Sequence, residues 1–105
     1  MQPNIQTETQ SKKVTVEFSG ISRMITKHNE WQLQVPETAT LSDVVSQLAQ
    51  TFPGLVGEVI DHDYKKLIDT NVISINGQSI IQSDMLDECP QDGDVLILLS
   101  LLAGG

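Results

Sequence analysis

The stretch Val95-Leu96-Ile97-Leu98-Leu99 is apolar at every position, so a strand built from it presents hydrocarbon to both faces of its sheet. The turn residues Asp92-Gly93-Asp94 precede it. Continued to Ala103, the run is far below the about 20 residues needed to cross a bilayer. A short strand that is apolar on both sides belongs at the centre of a sheet, with neighbours on either flank. The rest of the chain must then supply those neighbours and an amphipathic element to cover one face.

The neighbours are legible. In Lys13–Ser19, Val14, Val16 and Phe18 alternate with Lys13, Thr15 and Glu17, which predicts a strand closed by Gly20. Trp31, Leu33 and Val35 share one face of a second strand over 30–35, ended by Pro36, which lacks a ladder donor. These two strands pair antiparallel across the connection between them. Thr40 is placed to cap a helix, with Asp43 in its first turn, and Leu41, Val44, Val45, Leu48 and Phe52 recur at helical spacing. Pro53-Gly54 ends that helix, and Leu55, Val56, Val59 and Ile60 suit one or two further helical turns. Residues 61–70 are polar and read as a loop. Asn76-Gly77 inside 72–81 is a hairpin signal, because a type I′ turn needs positive φ at both positions. Residues 83–92 form another loop before the final strand. The compact solution is an α+β roll, a mixed sheet of about four to five strands packed on one main helix. A purely antiparallel sheet with the helix on one face is the alternative. Residues 1–12, polar and aperiodic, read as a disordered leader, 13–101 as a single domain, and 102–105 as a flexible tail.

Catalytic constellations are scarce. The net charge of −8 disfavours nucleic acid and anionic membranes, both of which call for clustered Lys and Arg, and suits a basic partner. A single cysteine, Cys89, allows no disulfide within the chain and no thiolate cluster, and its neighbours Asp87 and Glu88 disfavour the thiolate. Asp61-His62-Asp63 does not converge on one point as a strand or a helix and reads as solvated loop, as does His28. Asp92-Gly93-Asp94 lacks the continuing ligands of a calcium loop and reads as a turn. No metal and no tightly bound cofactor is expected. The polar N-terminus has no signal-peptide core, and a cytoplasmic location is the simplest reading.

The sequence closes on Leu101-Leu102-Ala103-Gly104-Gly105. Glycine has no Cβ, so an extended Gly-Gly segment can thread a channel that side chains would block, carrying one carboxylate at its tip. Thr40-Leu41-Ser42-Asp43-Val44-Val45 at the helix start, Asn76-Gly77 in the hairpin, and Asp92-Gly93-Asp94-Val95 leading to a closing Gly-Gly together resemble the MoaD/ThiS group of ubiquitin-like β-grasp sulfur carriers. The resemblance spans about 13–105 and lies nearer the MoaD side, since Phe52-Pro53-Gly54 and the segment after it exceed what the shorter ThiS proteins carry.

The resemblance implies a mechanism. A MoeB/ThiF-like enzyme, using ATP, would adenylate the Gly105 carboxylate, which becomes a thiocarboxylate. Gly104 and Gly105 would enter a MoaE-like large subunit and donate sulfur for molybdopterin. Leu102 and Ala103 would lie in the threaded tail. Leu101, Leu102 and Ala103 would contact the partner, and the outward residues of the last strand would form a docking face. The chain would not be catalytic alone. It departs from MoaD proteins in having Leu98–Leu102 where an aromatic residue and proline are usual. A carrier for another sulfur pathway, a ubiquitin-like modifier joined to lysines (with its own lysines 12, 13, 27, 65 and 66 as acceptors), and an adaptor with an inert tail remain open.

Overall fold

The computed structural model describes residues 10–101. β1 (Ser11–Glu17) leads into a short helix, α1 (Ile21–Thr26), then β2 (Glu30–Pro36) and the main helix α2 (Leu41–Thr51). A 3-10 turn at Pro53–Leu55 follows, then β3 (Asn71–Ile75), β4 (Ser79–Ile81) and β5 (Val95–Ser100). The five strands form one sheet in the order β2-β1-β5-β3-β4. β5 is central, parallel to β1 and antiparallel to β3. The sheet is therefore mixed, and the purely antiparallel alternative is excluded.

The register sorts every strand into two faces. Val14, Val16, Leu33, Val35, Ile73, Leu96 and Leu98 are buried in one core cluster with Leu41, Val44, Val45, Leu48 and Ala49 of α2. The capping box at α2 is complete: Asp43 N–H donates to Thr40 Oγ1 at 3.2 Å, and Thr40 N–H donates to Asp43 Oδ2 at 2.9 Å. The hairpin turn is built as its sequence requires, with Asn76 at φ 56° and Gly77 at φ 71°.

Two local expectations are corrected, and the first connection gains an element. The leader was expected to run through residue 12, but β1 begins at Ser11 and Lys12 is buried, its Nζ donating to Ala39 O at 2.8 Å and Pro90 O at 2.6 Å. Two backbone carbonyls replace water for the ammonium, which also withdraws Lys12 from the candidate acceptor lysines. The first connection contains α1, whose Ile25 packs on the core. Beyond Pro53–Leu55 no helix continues: Val56 and Ile60 pair as an isolated bridge, and Ile60 pairs in turn with Leu67. Residues 1–9 and 102–105, where the rest of the leader and the tail were expected, lie outside the described residues.

Candidate functional site: an apolar face leading to the C-terminus

Strand β5 carries two different apolar rows. Leu96 and Leu98 are buried beneath α2, whereas Val95, Ile97 and Leu99 are half-buried on the opposite face. None of those three belongs to the core cluster or packs against it. The β3 pairing, Val72 with Leu99 and Ser74 with Ile97, places Val72 on that same face, and the β4 pairing of Ser74 with Ile80 adds Ile80. Ile80 is 54% exposed and Leu101 is 62% exposed. Val72 is itself buried, as is Ser74 between Ile97 and Ile80, so the open apolar surface on this face is the β5 row leading to Leu101, with Ile80 beyond Ser74 at the β4 edge. Hydrophobicity on both faces of β5 thus has two causes, a core on one side and an open stripe on the other.

Hydrogen bonds fix where this strand starts and where it stops. Asn76 N–H donates to Val95 O, its Oδ1 accepts from Val95 N–H, and its Nδ2 donates to Asp94 Oδ1, all within 2.9 Å. Asp94 also accepts from Gln91 N–H at 2.8 Å, and Asp92 accepts from Lys13 N–H at 2.7 Å. These carboxylates organise a turn, as the missing calcium ligands implied. At the other end Ser19 Oγ donates to Leu98 O at 2.8 Å, and Leu101 N–H donates to Thr70 O at 2.7 Å. Leu101 is therefore held on the body of the protein with its side chain outward. Leu102, Ala103, Gly104 and Gly105 lie outside the described residues.

The remaining sequence candidates settle into structural roles. Asp61 and Asp63 flank Lys66, at 3.6 and 3.0 Å. The Lys65 backbone N–H and the Lys66 ammonium hold the Asp63 carboxyl below its ordinary range, and the hydrogen bond that Lys66 Nζ donates to Asp63 Oδ2 holds the ammonium above its own. Among the described residues no three His, Cys, Asp or Glu side chains come together to hold a metal. Cys89 is exposed, its Sγ 3.6 Å from Thr38 O. His28 stacks edge-on against Trp31 with ring centroids 4.9 Å apart. No described helix is long and apolar enough to cross a membrane.

Sequence reasoning named Leu101 and the outward row of β5 as a docking face but did not name Ile80. The Ile80-Ile81 pair held the signal, since adjacent strand residues face opposite ways and only Ile81 joins the core.

The model of the ThiS family matches residues 16–105. The chain belongs to the ThiS family. This family of ubiquitin-like β-grasp sulfur carriers accounts for the mixed sheet and its central last strand. Among curated proteins no sequence matches significantly. Solved structures do resemble this ThiS-family chain. The small archaeal modifier protein 1 of Haloferax volcanii superposes with a TM-score of 0.74 at 22% identity, covering 89% of this chain and 99% of its own. A putative molybdopterin converting factor, subunit 1, from Pyrococcus furiosus gives 0.64 at 25% identity, covering 87% and 99%. The Amycolatopsis orientalis BexX/CysO complex gives 0.68 at 23% identity, covering 88% and 99%.

Proposed function

We propose that this ThiS-family chain is a sulfur carrier for molybdopterin synthesis and that the Gly105 carboxylate is its working group. A carboxylate oxygen attacks the α-phosphorus of ATP on a MoeB/ThiF-like enzyme, pyrophosphate leaves, and an acyl-adenylate forms. Hydrosulfide from a sulfur donor then attacks the acyl carbon, AMP leaves, and loss of the S–H proton to solvent gives the thiocarboxylate. Gly104 and Gly105 thread into a MoaE-like subunit, where the sulfur passes to the pterin precursor. The chain itself contributes a narrow arm, a docking face and no acid–base machinery. ATP belongs to the activating partner.

The observation that carries this reading is the apolar stripe that runs along β5 to an outward Leu101, three positions before Gly104. An exposed apolar row shortly before two residues without side chains suits a partner that seats the body and receives the terminal carboxylate. Likeness to the Pyrococcus molybdopterin converting factor subunit supports the pathway, and the BexX/CysO complex supports action through a partner enzyme. Likeness to the archaeal modifier protein favours a second reading, a protein tag joined through Gly105 to lysines.

Intact-mass analysis after incubation with a MoeB-like enzyme, ATP and a sulfur donor separates them. Exchange of one oxygen for sulfur, confined to the C-terminal peptide and consumed by a MoaE-like subunit, is expected. Gly-Gly remnants on lysines of other proteins, with no thiocarboxylate, would establish the tag instead.

A further inference from the structure

Beside the apolar stripe the register sets Glu17 of β1 directly opposite Glu30 of β2, and Glu17 is in turn paired with Ile97 of β5. Val16 and Trp31, one step inside, face the core, so the two carboxylates stand on the same face as the stripe. Like charges directly opposite on antiparallel strands destabilise a sheet. Neutral Gln or Thr, the residues that occupy Gln32 and Thr15 one pair along this face, would avoid that cost. Among the described residues neither Glu17 nor Glu30 lies within 4.0 Å of a Lys, Arg or His nitrogen. The pair is thus a concentrated negative charge on the flank of the stripe, at the end of β1 where β5 runs out toward the C-terminus.

We propose that Glu17 and Glu30 together take one arginine of the activating enzyme when it docks on this face. Opposed residues on antiparallel strands have Cα atoms about 4.5–5.5 Å apart. Two carboxylates so placed can share one guanidinium, whose five N–H donors form a planar fork. The stripe takes the partner's apolar side chains, and the acidic pair fixes which way round the body sits. A net charge of −8 adds long-range attraction to such a basic partner. This proposal rests on the docking face described above and names the partner's chemistry there.

The test uses the full chain and its own MoeB/ThiF-like activating enzyme, measuring ATP-dependent adenylation as a function of carrier concentration and salt. Glu17→Gln and Glu30→Gln each raise KM. The double variant raises it about tenfold at low salt with kcat retained, and the gap closes as salt screens the charge. Its Tm is equal to that of the native chain or higher, because the repulsion is gone. Leu101→Asp serves as the stripe control. If Leu101→Asp raises KM and the glutamine variants do not, the arginine site is refuted while the docking face stands. If none of the three variants changes KM, the docking face fails and the proposal fails with it. A fall in Tm in the double variant, with KM unchanged, makes the pair structural and also overturns the proposal.

Discussion

Asn76 links local conformation to the placement of the working strand. It occupies the left-handed region at φ 56° and makes a reciprocal pair of bonds with Val95 and one to Asp94. Asparagine tolerates that conformation better than most residues, and its side chain continues the ladder where the hairpin ends. Asn76→Ala removes both side-chain bonds and strains the turn, so unfolding free energy falls by about 1–3 kcal/mol in urea titration. Asp63 acts at the same scale through charge. Its lowered carboxyl range means that its stabilisation is present above the unfolded carboxylate range and is lost as pH falls through the folded one. Lys66, raised by the same pair, contributes below its unfolded range and loses that contribution as pH rises through the folded one. Asp63→Asn therefore lowers Tm at neutral pH, and the difference from the native chain disappears in acid. A constant difference from neutral pH to acid would assign Asp63 no electrostatic role.

Among the elements, α2 and β5 were legible because each carries a full periodic signal. Leu41, Val44, Val45 and Leu48 repeat at helical spacing behind a capping box, and all four are buried. Helix α1 was not legible. It is six residues long, begins after Gly20 at φ 57°, and buries Ser22 and Thr26, which no hydrophobic pattern marks. Lys12 escaped for a related reason: its burial depends on the carbonyls of Ala39 and Pro90, both remote in sequence. The outward face was half legible, because the β5 row lies within one strand whereas Ile80 is placed on that face only through register. Leu48, 1% exposed, anchors α2 on the sheet, and Leu48→Ala costs about 2–5 kcal/mol in denaturant unfolding. Thr40→Ala, which removes half of the capping box, costs about 1 kcal/mol.

For the whole molecule, the core and the proposed docking face occupy opposite faces of one sheet. The core between α2 and the sheet holds the fold, while the stripe through Ile97, Leu99 and Leu101 faces outward and leads to the closing glycines. Substitutions on the two sides therefore have separable effects. Leu101→Asp, at a side chain 62% exposed, leaves unfolding free energy within about 0.5 kcal/mol and impairs partner engagement. Leu48→Ala does the reverse at temperatures where the variant stays folded. The central claim is that the glycine carboxylate is the working group, and ATP–pyrophosphate exchange by the activating enzyme tests it most directly. The native chain supports exchange, whereas a chain extended by one residue beyond Gly105 supports none and keeps the same Tm. Equal exchange from both chains, or none from the native chain with its own activating enzyme, would contradict the account.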